Sequence, residues 1–258
     1  MIRLRNVWYR YPRSEEWCIR DLTTEIPYGV NMLVGPNGSG KTTLLRIIAG
    51  FYKPQRGYVE VLGKKINSYA DNIGKLIYVP SNPKVFTVGP TVEKDIERII
   101  ASFNSRYTVK EILDIFHISH LAKKRIYHLS EGEHRVLAIA SALASDAEVI
   151  LMDEPTVGLD KVFRNALIRI INEMGREKII LVATNDLRLV PRCDNILLLN
   201  NGQLMLSGSP QKVLYSEIFE EIVGLSEIVE FCKIVGLENI VTPEDLADHL
   251  RNMVTRNV

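Results

Sequence analysis

The sequence has little that would staple it, anchor it or draw it to a polyanion. Its three cysteines, Cys18, Cys193 and Cys232, are odd in number and far apart in a chain of 258 residues. Such a set is no disulfide framework, and without a CxxC pair it offers no zinc knuckle. Incidental or buried thiols in a reducing compartment are the reading that remains. No uncharged apolar run approaches the ~18 residues of a membrane-spanning helix. The opening Met1-Ile2-Arg3-Leu4-Arg5 is followed by no apolar stretch, so no signal peptide is expected. An excess of one charge is missing too, since 32 Lys and Arg stand against 31 Asp and Glu. With no surplus to displace counterions, no nucleic-acid partner is expected. Internal repeats and low-complexity tracts are also absent.

What is present is an ordinary globular composition. Hydrophobic residues at 46% with a net charge of +1 exclude disorder. The length suits one large domain or a domain with an appendage. A chain of this size buries roughly 70–75% of its unfolded surface and needs no staple.

The periodicity reads as α/β. Residues 2–11, 19–26 and 31–34 are expected strands, and the third runs through a glycine-rich turn into the helical Leu44-Leu45-Arg46-Ile47-Ile48. Further strands are expected over 57–62 and 73–79. From 91 to 144 the period becomes helical, as in Val92, Ile96, Ile99 and Ile100, which reads as a helical insertion. Three unalternating apolar runs follow, 149–152, 179–182 and 196–199, as strands covered on both faces of a parallel sheet require. A helix over 161–174 supplies a right-handed crossover. Asn200-Asn201-Gly202 signals a hairpin. Residues 210–258 are expected to be helical, with Pro243 opening the last helix.

Gly35-Pro36-Asn37-Gly38-Ser39-Gly40-Lys41-Thr42 matches G-x-x-x-x-G-K-[ST] at every fixed position, between an expected strand and an expected helix. Glycines let backbone N–H groups converge on an anion. The following helix adds unpaired donors and the positive end of its dipole. Lys41 is expected at the β- and γ-phosphates of a nucleoside triphosphate, and the Thr42 hydroxyl at Mg²⁺; Thr43 completes the binding set. The strand Val149-Ile150-Leu151-Met152 ends in Asp153-Glu154. Ligands of open α/β sheets sit beyond such strand ends, so Asp153 is expected to face Mg²⁺ and Glu154 to polarise the attacking water. Taken alone, the phosphate loop indicates a nucleoside triphosphate but not a reaction.

Leu129-Ser130-Glu131-Gly132-Glu133 lies between these motifs, and Pro155-Thr156-Val157-Gly158-Leu159-Asp160 follows the acidic pair. With this set in this order, residues 2 to about 215 resemble the ATP-binding-cassette (ABC) ATPases. The resemblance implies a P-loop NTPase core with a mostly parallel sheet, an N-terminal antiparallel β subdomain and an inserted helical subdomain at about 87–145, followed by a C-terminal helical extension over 216–258. It implies a head-to-tail dimer sandwiching two ATP molecules. Tyr11 would stack the adenine, the Ser130 hydroxyl and Gly132 N–H would contact the opposite subunit's γ-phosphate, and Asp160 would sit at the seam. Ser130 and Glu133 also form S-x-x-E, a capping box, and a helix cap and an anion site can coincide. Tyr78-Val79-Pro80-Ser81-Asn82-Pro83, Thr91-Val92-Glu93-Lys94-Asp95-Ile96 and Gly208-Ser209-Pro210 resemble the ATPases of energy-coupling-factor importers, which energise uptake of vitamins or metal ions such as cobalt and nickel. The partners so implied are a second ABC ATPase subunit, a heterodimer being favoured over a homodimer, and a transmembrane subunit. The implied location is the cytoplasmic face of the membrane, peripheral through that partner.

Several positions depart from the family pattern. Ser81 stands where the family usually has a Gln that reaches Mg²⁺ and the attacking water; serine could do so only through a bridging water. Asn185 stands where His usually holds the γ-phosphate, and Asn cannot carry a positive charge. Glu131 and Glu133 replace Gly and Gln, and Val136 and Ser141 replace residues that are often Arg. Charge preorganisation is the main resource of phosphoryl transfer, and one lost contact commonly costs ~10²–10³ in rate. A site that binds ATP and turns over slowly is therefore expected, with Glu154, Lys41 and Asn185 as its catalytic set. Alternatives are a transport-independent cassette ATPase or a non-hydrolysing regulatory module. A nucleotide kinase would leave the signature and Asp160 unexplained. Trp8 and Trp17 read as strand and loop packing.

Overall fold

The computed structural model describes residues 1–256; the last two residues of the expected 216–258 extension lie outside them. Two sheets flank one helix. The first has the order β2-β1-β4-β5, built from β1 (Ile2–Tyr9), β2 (Ile19–Ile26), β4 (Arg56–Val61) and β5 (Lys64–Ile66), with antiparallel pairs throughout. Alternation makes it one-faced: Ile2, Leu4, Val7 and Tyr9 are buried and the residues between them are more open.

The second sheet has the order β10-β9-β3-β8-β7-β6. Its strands are β3 (Gly29–Val34), β6 (Leu76–Val79), β7 (Val149–Asp153), β8 (Ile179–Ala183), β9 (Asn195–Asn200) and β10 (Gln203–Gly208). All its pairs are parallel except the β9–β10 hairpin, which turns at Asn201 and Gly202 with φ of 47° and 77°. Every residue of β3, β7 and β8 is buried. The expected strand over 73–79 starts later, at Leu76, because Gly74 at φ 75° belongs to the preceding turn. Strand β5 has three residues and no period of its own; only its pairing with β4 reveals it.

Helix α1 (Lys41–Ala49) lies between the sheets. Its Leu44, Leu45 and Ile48 pack with Ile2 and Leu4 on one side and with Leu151, Leu181 and Leu197 on the other. The opposite face of the second sheet, Met32, Ile150 and Ile180, packs on the remaining helices. The insertion consists of α2 (Val92–Phe103), α3 (Val109–Ile115) and α4 (Glu131–Ala144). Its entry is fixed by Asp95, fully buried, which accepts from Val88 N and Gly89 N at 2.9 Å each and from the Ser141 hydroxyl at 2.9 Å. After α5 (Lys161–Gly175) and the hairpin come α6 (Pro210–Leu214), α7 (Glu217–Ile222), α8 (Glu227–Ile234) and α9 (Pro243–Arg256). Phe219 and Val229 tie these helices to the core. Among the described residues no helix is long and apolar enough to cross a membrane.

Candidate active site

The strand β3 ends at Val34, and the chain then folds back over the start of α1. At Gly35 the loop passes so close to the hairpin that a Cβ would lie 1.9 Å from the Leu199 carbonyl oxygen. At Gly38 the backbone has φ 81° with nothing within 4 Å of the Cβ position, so conformation and not space demands glycine. Pro36 and Asn37 complete the bend, and Gly40 is the N-cap of α1 at φ 106°. The Lys41 ammonium lies inside this loop, donating to Gly35 O at 2.7 Å and Pro36 O at 3.2 Å. The Ser39 hydroxyl is buried without a hydrogen-bond partner.

Strands β7 and β8 lie beside β3 in register, so their C-terminal ends reach the same edge. Thr42 donates its hydroxyl to Asp153 at 2.9 Å, and Tyr78 donates to the same carboxylate at 3.3 Å. Burial raises the Asp153 and Glu154 carboxyls above their ordinary values and lowers the Lys41 ammonium. Two carboxyls and an amine kept from water are a set that a bound phosphate and cation would satisfy. Among the described residues no cluster of three or more His, Cys, Asp or Glu could hold a metal. A Mg²⁺ ion here would therefore draw on Asp153, Thr42, water and phosphate oxygens. With the unpartnered Ser39 hydroxyl, the residues fit a Mg²⁺–triphosphate.

Asn185, just past β8, joins these parts. Its Oδ1 accepts from Lys41 Nζ at 2.9 Å, its Nδ2 donates to Asn37 Oδ1 at 2.7 Å, and its backbone N–H reaches Glu154 Oε2 at 3.4 Å. Glu154 itself is left-handed, with φ 49°, an uncommon conformation for a non-glycine residue. Its N–H is tied to Ala183 O at 2.9 Å and its carbonyl accepts from Arg135 Nη1 at 3.0 Å. Tyr11 bonds Thr43 through its hydroxyl at 2.8 Å, and its ring sits edge-on to Tyr9 and Tyr52. Ser81 is exposed just beyond β6 and makes no hydrogen bond among the described residues.

The signature segment stands apart from the chain's own phosphate loop. Ser130 is exposed and accepts from Glu133 N at 3.2 Å, while Glu133 accepts from Ser130 N at 2.7 Å and from Lys124 at 2.9 Å. The capping box is thus formed, and Glu133 is turned onto a lysine. Lys124 and the Ser130 N–H hold its carboxyl below the ordinary range. A Cβ on Gly132 would lie 3.5 Å from Gly158 O, so the signature adjoins the turn leading to Asp160. Asp160 is exposed and caps α5, accepting from Phe163 N at 2.9 Å. Trp8 and Trp17 pack edge to face at 5.3 Å beneath Arg56.

Sequence reasoning missed Tyr78 and Arg135. Tyr78 looked like one more strand residue. Arg135 is buried beside the left-handed Glu154, next to Val136, where the family arginine is missing. An arginine inside an otherwise apolar helix was the available signal.

Comparisons with known proteins point to one family. A family model described as ABC transporter matches residues 19–157. The energy-coupling factor transporter ATP-binding protein EcfA1 of Mycoplasmopsis pulmonis is 33% identical over 88% of this chain and 89% of its own length. A putative ABC transporter ATP-binding protein of Pyrococcus furiosus is 31% identical over 95% of this chain and 98% of its own. Among solved structures, cbiO1 of Clostridium perfringens, part of the ABC transporter complex cbiONQ, superposes with a TM-score of 0.72 at 24% identity, covering 92% of this chain and 98% of that one. The ATP-binding cassette MJ0796, a dimer in a post-hydrolysis state bound to ADP and Pi, gives 0.72 at 23% identity over 81% of this chain and 99% of that one.

Proposed function

The chain belongs to the ABC transporter family of ATP-binding proteins, and we propose that it is the ATPase that powers a nutrient or metal-ion importer of the energy-coupling-factor type. One observation carries this reading. At a single sheet edge Asn185 contacts both Lys41 and Glu154, and beside them Thr42 contacts Asp153, while Ser130 and Asp160 are exposed on the same chain. A second subunit is needed to bring a signature to each phosphate loop.

The chemistry assigned to the residues is as follows. The backbone N–H groups of residues 37–43 and the Lys41 ammonium bind the triphosphate. Thr42 and Asp153 would hold Mg²⁺, which would supply positive charge to the phosphate oxygens. Tyr11 stacks the adenine. The Glu154 carboxylate accepts a proton from the attacking water; the new bond is water oxygen to γ-phosphorus, and the bond that breaks joins that phosphorus to the β–γ bridging oxygen, leaving ADP and phosphate. Asn185 supplies a neutral amide at the γ-phosphate, and Ser81 lies within reach only through water. Turnover at this site is accordingly slow, and the second ATPase in the dimer is a different chain equipped with the residues missing here.

The membrane partner docks at the loop after β6, where Val85, Val88 and Tyr127 expose about two thirds of their surface. The chain then lies on the cytoplasmic face of the membrane through that partner. A mild-detergent affinity purification of this chain from its native cells tests the reading. A second cassette ATPase and a membrane protein are expected to accompany it; recovery alone, or with water-soluble partners only, refutes the transport role.

A further inference from the structure

Away from the nucleotide site, a cavity of about 730 Å³ lies between α5, the 187–192 turn and the first residues of α8 and α9. That is the size of a small-molecule site. Ile168, Leu187, Pro191, Leu225, Ile228 and Val241 give it apolar walls. Four cations line it, Lys161, Arg164, Arg188 and Arg192, against one carboxylate, Glu227. Some of that charge is engaged. Arg188 and Arg164 lean on Asp186 at 2.6 and 3.4 Å, and Arg192 pairs with Glu244 at 2.7 Å.

Three donors here make no hydrogen bond among the described residues. The Arg164 Nε is buried with no hydrogen bond and only the 3.4 Å ion pair to Asp186, and the Ser226 hydroxyl is buried with no partner. Ser226 is the N-cap of α8, yet its side chain makes no cap bond. The Lys161 ammonium has no ion pair. A buried hydroxyl is rarely left unpaired, and that of Ser226 shares one hollow with the exposed Lys161, Arg164 and the apolar wall.

We propose that this cavity binds a small organic carboxylate with an apolar body. The carboxylate sits against Lys161, Arg164 and the Ser226 hydroxyl, with its hydrocarbon on the α5 and α8 side chains. An inorganic anion would leave the apolar wall wet, a neutral hydrocarbon would leave the donors unpaired, and a cation would meet like charge. The site is wired to the nucleotide edge. Arg164 Nη2 donates to Leu159 O at 2.9 Å, one residue before Asp160, and its other partner, Asp186, follows Asn185. A ligand that draws on Arg164 therefore alters both loops, and linkage makes the coupling reciprocal.

Calorimetric titration of the full chain with octanoate, and with octanol as its uncharged control, tests the site. Octanoate is expected to bind one to one with a Kd of about 1 mM or tighter. Octanol and the Lys161→Glu/Arg188→Glu variant should bind about tenfold more weakly or worse. Leu225→Trp, which fills the cavity, should abolish binding with the melting temperature held. No octanoate heat, equal binding of octanol, or undiminished binding by the folded variants overturns the site. Saturating octanoate should also shift the affinity for a fluorescent ATP analogue about threefold or more; an unchanged affinity overturns the regulatory half.

Discussion

Arg135 offers the sharpest test of how the acidic pair is held. The guanidinium is 4% exposed and gives one charge-assisted hydrogen bond, at 3.0 Å, to the carbonyl of the left-handed Glu154. Its nearest acid, Glu131, stands at 3.8 Å and is mostly in solvent, while its Nε has no partner. Replacing Arg135 with Met removes a bond worth about 1.5–3 kcal/mol. It also removes a buried charge that burial already penalises, which offsets part of that loss. The net cost in stability is about 1–2 kcal/mol. The Glu154 carbonyl is then held only by Val157 N at 3.5 Å, and the residue relaxes from φ 49°. A misplacement of the carboxylate equivalent to 1.4 kcal/mol costs about tenfold in kcat. Arg135 makes no contact with the phosphate loop, so ATP affinity should stay within about twofold. Urea unfolding, fluorescent-nucleotide titration and single-turnover phosphate release measure the three quantities. An unchanged kcat in a variant that is destabilised, or an ATP affinity that falls as far as kcat, refutes the positioning argument.

Other expectations follow from the same contacts. Gly35→Ala puts a methyl 1.9 Å from the Leu199 carbonyl, so the variant should lose more than about 3 kcal/mol or fail to fold, by thermal melting. Asp153→Asn relieves a carboxyl whose folded-state pKa burial has raised. The folded chain binds that proton more tightly than the unfolded chain, so the charged form costs stability at neutral pH. The variant should melt higher without nucleotide, by about 1 kcal/mol, and lose the stabilisation that MgATP gives the parent. Glu133 is the opposite case, a carboxyl lowered by Lys124 and Ser130 N–H. Its stabilisation is present above the unfolded pKa and lost as pH falls through the folded one. Glu133→Gln should cost about 0.5–1 kcal/mol near pH 7 and nothing in acid, where the two unfolding curves meet. Asn185→His with Ser81→Gln should raise turnover about 10²-fold; a rate no higher than the parent's refutes the slow-site reading.

Much of the fold was legible because its signals are local. The runs of β7, β8 and β9 carry no alternation, so they had to be covered on both faces, and they are. The phosphate loop declared itself by spacing, and the left-handed Gly38 and Gly40 show why glycine is needed there. The Ser130–Glu133 capping box was also readable, and with it the prospect that Glu133 turns away from a partner's phosphate. Contacts across long separations were not readable. Lys124 as the partner of Glu133, Tyr78 on Asp153, Asn185 bridging Lys41 to Asn37, and Arg135 under Glu154 all depend on which elements meet. The short β5 was lost for the same reason, as a three-residue strand exists only through its neighbour.

Phosphate release at saturating MgATP by the chain purified with its partners, with the partner ATPase's own site inactivated so that this one alone reports, is to be compared with that of the Glu154→Gln variant. Slow but measurable release is expected, which this substitution lowers about 10²-fold at this chain's site with ATP binding retained. Equal release from the two proteins, or no ATP bound by either, would contradict it.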